Sequence, residues 1–165
     1  MATRNPERPV QLSVLDRLID AHPENRQEVP LTRSQSVAEF KAALRRDTEW
    51  LLNTRRAIHQ PEASEGGEPL ELAESVYNYG VPDFSSFTLG SGTDLARLTR
   101  LLEEAIVRFE PRLQGVRVTP HREAVRGQRS VRFTIEGMLQ IEPSPELIAF
   151  DTIIDAGGEF HVKGD

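Results

Sequence analysis

Not one cysteine occurs among the 165 residues, which excludes disulfides, a thiol nucleophile and any cysteine-based metal site. An apolar run approaching the roughly 20 residues that span a bilayer is also missing. Residues 1–9 hold no apolar stretch of the signal-peptide kind. Nor is there an excess of positive charge. Lys and Arg total 20 against 26 Asp and Glu, a net charge of −6, and phosphate binding needs a concentrated basic surface. These absences lead to the expectation of a cytoplasmic chain, with no membrane insertion and no nucleic acid partner.

Catalytic signatures are equally scarce. His22, His59, His121 and His161 show no metal-ligand spacing. There is no Gly-x-Ser-x-Gly elbow, and the glycine-rich stretch from Ser85 to Gly92 lacks the lysine of a phosphate loop. No catalytic residue, no metal, no cofactor and no small-molecule substrate is expected.

What is present is enough chain for one domain, and its clearest element runs from Thr93, a possible helix cap, to Phe109. Leu95, Leu98, Leu102, Ala105, Ile106 and Phe109 recur on one face of a 3.6-residue helix. Arg97, Arg100, Glu104 and Arg108 fall opposite, with Arg100–Glu104 and Glu104–Arg108 spaced for ion pairs. Pro111 ends the helix by removing an amide and clashing with the preceding turn.

Upstream, residues 1–9 read as a tail. A short amphipathic helix from Val10 to Asp20 follows, with Val14, Leu15, Leu18 and Ile19 on one side; alone it is too short to be stable, so it must dock. A polar linker leads to Ser36-Val37-Ala38-Glu39, a capping box opening a second helix that runs to about Asn53. Val37, Phe40, Leu44 and Leu51 form its stripe, with Trp50 beside it. Arg45, Arg46, Arg55 and Arg56 make its end basic, as a solvated helix end or as a patch for an acidic partner. Gln60 to Pro69 is a loop, Leu70 to Tyr77 allows a short helix, and Asn78-Tyr79-Gly80 suits a helix C-cap. Residues 1–35 are therefore expected to be a tail with a docking helix, and 36–165 a single α+β domain.

Beyond Gly115 the period becomes 2. Val131, Phe133, Ile135, Gly137, Leu139 and Ile141 alternate with polar residues, which predicts a half-buried antiparallel strand. Arg126-Gly127-Gln128-Arg129 would connect it to a strand over Val116 to Ala124. Pro143-Ser144-Pro145 turns into Ile148 to Asp155, and Ala156-Gly157-Gly158 into Glu159 to Val162. The expectation is a meander sheet of about four strands, covered on one face by two to three amphipathic helices. Its last strand would leave an outer edge free to pair with another chain.

Glu110 breaks a local rule: it adds negative charge at a helix end that is already negative. Arg112, held close by Pro111, is the nearest cation. Local physics leaves two readings open, a solvated carboxylate or a site with a function. Glu103 and Glu110 could also be read as an acid pair for glycoside hydrolysis. Seven residues on one helix place them roughly 10 Å apart with no opposing wall, and Arg112 favours the ionised form, the wrong state for an acid.

Several stretches together carry a family resemblance. They are Ser13-Val14-Leu15-Asp16-Arg17-Leu18, Asp47 to Arg56, Ser75 to Asp83, Phe109-Glu110-Pro111-Arg112-Leu113 and Phe150-Asp151-Thr152-Ile153-Ile154-Asp155. In this order the chain resembles the TssE family, baseplate subunits of bacterial type VI secretion systems. It is similar by extension to the wedge and sheath-initiator proteins of contractile-tailed phages, a group also called lysozyme-like. The resemblance implies a non-enzymatic structural subunit in a baseplate assembled at the inner membrane. It implies docking on the wedge through Glu110, Pro111 and Arg112, and sheath initiation by strand pairing along Glu159, Phe160, His161 and Val162. The implied partners are the baseplate proteins TssF, TssG and TssK and the sheath proteins TssB and TssC. A peptidoglycan hydrolase using Glu103 or Glu110 is the alternative.

Overall fold

The computed structural model describes residues 8–19, 23, 30–56, 75–121, 130–155 and 157–164. Its elements are α1 (Val14–Leu18), α2 (Arg33–Asn53), a 3-10 turn (Val76–Asn78), α3 (Gly92–Phe109), β1 (Leu113–His121), β2 (Val131–Leu139), β3 (Glu146–Ile154) and β4 (Phe160–Gly164). The expected loop from Gln60 to Pro69, the hairpin connection at 126–129 and most of the tail lie outside the described residues, as does the 70–74 part of the expected short helix.

The fold is α+β. Its sheet is an antiparallel meander in the order β1-β2-β3-β4, because period-2 segments joined by short connections pair with their sequence neighbours. On β2, Phe133, Ile135, Gly137 and Leu139 are buried while Arg132, Glu136 and Met138 face outward, as alternation requires. α3 lies along β1 and α2 along β4. Leu44, Leu51 and Leu52 of α2, Leu98, Leu102 and Ile106 of α3, and Phe133, Ile135, Phe150 and Phe160 of the sheet meet in one core.

Two helix starts differ from expectation, and one set of expected contacts does not form. α2 starts at Arg33, because Thr32 and Gln35 form the capping box; this pair has the same spacing as Ser36 and Glu39 but lies one turn earlier. Ser36 is instead buried inside the helix, its hydroxyl accepting from the Val10 amide at 2.9 Å. The cap of α3 is Ser91, not Thr93. The ion pairs spaced along α3 do not form: no salt bridge joins Arg100 or Arg108 to Glu104 among the described residues.

The N-terminal helix departs furthest. It is a five-residue turn, and its apolar side faces outward, with Val14, Leu15, Leu18 and Ile19 all more than half exposed. Val10 and Leu12, just before it, are the residues that reach the core. Polar ties hold the segment: the Ser36 hydroxyl takes the Val10 amide, and Arg46 on α2 takes the Asp16 carboxylate at 2.7 Å.

Candidate functional site

Glu110, Pro111 and Arg112 form the reversal between α3 and β1. Glu110 caps the helix with φ −122° and ψ 74°, outside the helical region, as the residue before a proline prefers. Pro111 occupies the second position of a turn closed by the Leu113 amide on the Glu110 carbonyl at 3.1 Å, where its fixed φ fits. The Arg112 carbonyl accepts from the Gln140 amide at 2.9 Å, so the turn leads directly into the β1–β2 ladder.

The two charged side chains fold back on each other. Arg112 Nε donates to Glu110 Oε1 at 2.6 Å and Nη2 to Oε2 at 2.5 Å, a bidentate geometry that suits guanidinium and carboxylate. Glu110 is 5% exposed. Sequence reasoning identified this pair but missed its third member: Asp47 of α2, whose Oδ2 accepts from Arg112 Nη2 at 2.7 Å. The signal was present, because Asp47 interrupts the Phe40, Leu44, Leu51 stripe with a charge on the helix face turned toward the core. Phe40 lies under the same guanidinium, 5.6 Å from its ring centroid.

The network continues. Arg46 donates to Asp47 Oδ1 and to Asp16 Oδ1, each at 2.7 Å, so five charges run without a break from α1 across α2 to the turn after α3. Burial alone would lower the affinity of Arg112 for its proton; the bonds and charges of Glu110 and Asp47 outweigh it and hold it well above the usual arginine value. Arg46 is raised likewise, by Asp47 first and then Asp16. Burial would raise the Asp16 carboxyl, but Ser13 and Arg46 together keep it below the ordinary aspartate range. Burial, then Asp47 and Glu110, push the neighbouring Tyr79 phenol up. The bidentate and shared hydrogen bonds tie the turn after α3 to α2, which suits a rigid latch. Glu103 is also committed: its Oε1 accepts from the Val118 amide at 2.8 Å.

At the second predicted site, the outer edge of β4 is not free. The Phe160 amide donates to Asn53 Oδ1 and its carbonyl accepts from Asn53 Nδ2, both at 2.8 Å. The Val162 amide donates to Glu49 Oε2 at 2.9 Å. Phe160 and Val162 are the positions whose backbone groups point away from β3, so α2 covers them as a neighbouring strand would. Glu159, in the turn, and His161, on β4, are exposed; with Asp155 they bring three potential ligand atoms within 4.8 Å of one another. Asp155 Oδ1 already accepts from the Gly157 and Glu159 amides, which ties the turn itself. On the opposite edge, Glu103 closes β1 in the same manner as Glu49 closes β4. Position 120 of β1, of the same outward parity as Val118, is a proline with no amide to offer.

Among the described residues no helix is long and apolar enough to cross a membrane. No curated protein matches the chain in a sequence comparison. One solved structure, described as "The baseplate complex from the type VI secretion system", contains a chain that aligns with TM-score 0.49 and 14% identity, over 78% of this chain and 97% of that one. The family model of the baseplate wedge protein gp25 matches residues 38–144, a span that holds most of α2, all of α3 and the Glu110–Arg112 turn and ends before β3. With more than half its length matched, this chain belongs to the baseplate wedge protein gp25 family.

Proposed function

We propose that the chain is a non-catalytic structural subunit of a type VI secretion baseplate, docking on its wedge through the Glu110-Pro111-Arg112 turn and starting the sheath by strand pairing along residues 159–162, where the incoming strand displaces Asn53 and Glu49 of α2 from Phe160 and Val162. The observation that carries the docking reading is the ion network itself. Glu110, Arg112 and Asp47 lock the turn between α3 and β1 against α2, so that Pro111, which is exposed, and the open side of Arg112 are presented in one fixed shape. A preorganised turn costs little to order on binding. Among the described residues Arg112 uses Nε and Nη2, which leaves Nη1 for an acceptor on a partner. The wedge proteins TssF and TssG, with TssK, are the partners this reading names, and TssB and TssC the sheath proteins. Cytoplasmic assembly against the inner membrane belongs to the same proposal.

The test is co-purification of the full chain with a TssF–TssG wedge. The wild-type chain is retained, and both Pro111→Ala and Arg112→Lys lose retention, Pro111→Ala with a native melting profile and Arg112→Lys with a lowered one, since lysine cannot reproduce the bidentate bond to Glu110. Retention of both variants at wild-type levels overturns the docking role. Absence of any wedge association for the wild-type chain overturns the baseplate assignment as a whole.

A further inference from the structure

The turn between β3 and β4 brings together side chains that no local spacing rule connects. Asp155 follows the end of β3 and Glu159 precedes β4. The Asp155 amide donates to the Glu159 carbonyl at 3.0 Å, which sets the two residues opposite each other. His161 lies two positions beyond Glu159 and so on the same side of the chain, the solvent face of the sheet, where it stands opposite Ile153. Asp155, Glu159 and His161 each offer a ligand atom, and these atoms lie within 4.8 Å of one another. Among the described residues no other three His, Asp or Glu side chains converge in this way.

Exposed carboxylates often gather with no ligand between them; the imidazole sets this group apart. His161 Nε2 is 3.6 Å from Asp155 Oδ2. That is too far for a hydrogen bond and close to the roughly 3.4 Å between two ligand atoms on a tetrahedral zinc ion. Asp155 Oδ1 is committed to the amides of Gly157 and Glu159, which leaves Oδ2 for the histidine side. The Glu159 carboxylate makes no ion pair among the described residues. The cations nearby are engaged or face other groups. Arg55 donates to the Leu52 and Gly158 carbonyls and lies over the Phe84 ring. Lys163 stands opposite Asp151 in the ladder, and Ile153 separates Arg132 from His161 in the same cross-strand row. Two carboxylates therefore converge on one imidazole.

We propose that Asp155, Glu159 and His161 bind a divalent ion of the zinc class. His161 ligates through Nε2, Asp155 through Oδ2 and Glu159 through a carboxylate oxygen, which its exposed side chain can bring into place by rotation; water is the fourth ligand. One imidazole with two carboxylates suits Zn2+ better than Mg2+ or Ca2+, which take oxygen ligands almost alone. The ion joins the residue after β3 to the second residue of β4. Those strands pair over only five positions, so the clasp strengthens the hairpin that carries residues 159–162. The site does not depend on the baseplate role.

Calorimetric titration of zinc chloride into the full chain, free of any histidine tag, tests the site. One ion binds per chain, tighter than millimolar, and an excess of Mg2+ or Ca2+ does not displace it. Amide NMR shifts on adding Zn2+ centre on residues 155–161. His161→Gln and Glu159→Gln, both at exposed positions where folding is not at stake, each lower affinity roughly tenfold or more, since even the loss of a group behind a ligand costs 10–100-fold. His121→Gln leaves binding unchanged, because His121 Nε2 is already bonded to the Thr134 hydroxyl. Zn2+ raises the urea midpoint of the wild type and not that of His161→Gln. Undiminished binding by His161→Gln, shifts centred on another histidine, ready displacement by Mg2+, or affinity no tighter than millimolar overturns the site.

Discussion

The carboxamide of Asn53 forms a closed ring with the backbone of Phe160, donating to its carbonyl and accepting from its amide at 2.8 Å each. A helix side chain thereby mimics the next strand of a sheet. Glu49 repeats the device at Val162, and Glu103 does so for Val118 on the far edge. An uncovered edge is a template for unwanted pairing, and here both edge strands are closed from within.

Asn53→Ala is therefore expected to act twice. Leaving both Phe160 groups without their partner costs about 1–3 kcal/mol, read as a lower urea midpoint at unchanged slope. The newly opened edge should also promote self-association, seen by sedimentation velocity at concentrations where the wild type stays monomeric. A destabilised variant that remains monomeric at all concentrations would show that other features protect the edge.

The Glu110–Arg112 pair has a structural role in the isolated chain, so mutations there are not pure probes of an interface. Glu110→Ala leaves the Arg112 guanidinium, its side chain 21% exposed, with Asp47 alone. Breaking a largely buried pair by removing one partner costs roughly 3–5 kcal/mol. Asp47→Ala should cost less, since its side chain is more exposed than that of Glu110, at 24% against 6%. The double variant should fall short of the sum, because both residues serve the same guanidinium. Chemical denaturation of the two single variants and the double variant checks this, and strict additivity would mean that the three side chains do not act as a unit.

How much of this was legible in the sequence depended on the reach of each interaction. Period 2 in residues 131–141 and period 3.6 in 95–109 are local patterns, and the meander and α3 follow from them. The Glu110–Arg112 pair was legible because proline keeps its members two residues apart. The capping of α2 was ambiguous, because Thr32–Gln35 and Ser36–Glu39 offer the same signal one turn apart, and only the burial of Ser36 beneath Val10 decides between them. Asn53 and Phe160 are 107 positions apart, and no local rule connects an ordinary helix-end asparagine to a strand edge. The outward face of α1 was hidden for a different reason: amphipathicity predicts that an apolar side exists, but not that the chain will hold the segment by Asp16 and leave that side exposed.

Asp16 makes the N-terminal segment sensitive to acid. Its carboxyl is held below the ordinary value in the folded chain, so its contribution is fully present above the unfolded-state pKa and is lost as pH falls through the folded one. Attachment of α1 should be constant from neutral pH to about 5 and weaken below about 4. Trp50, the single tryptophan, lies 4.9 Å from the Arg46 guanidinium and reports the change by its fluorescence. Asp16→Asn should remove the acid transition from that signal; a transition unchanged in the variant would assign it to other carboxylates.

Gly80 offers the sharpest test of how the end of α2 is held. The Arg55–Val81 bridge, with the Val81 amide on the Thr54 carbonyl at 2.9 Å, fixes the chain just beyond Asn53 and so sets where Asn53 meets β4. Gly80 makes that contact possible in two ways: its φ is +112°, and a Cβ built there would lie 2.4 Å from the Thr54 carbonyl oxygen. Gly115, in the irregular part of β1, has φ +61° but nothing within 4 Å of a built Cβ. Gly115→Ala should therefore cost only the dihedral penalty, about 1–2 kcal/mol. Gly80→Ala carries a backbone penalty of that order together with a collision against main chain that cannot move without breaking the bridge, and its loss should be distinctly larger. Denaturation midpoints of the two variants decide the matter, with hydrogen exchange at Phe160 as the second readout. Gly80→Ala should expose that amide as Asn53 shifts, while Gly115→Ala leaves it protected. Equal losses for the two alanines would mean that the junction after α2 yields easily and that Asn53 is held in place by β4 instead.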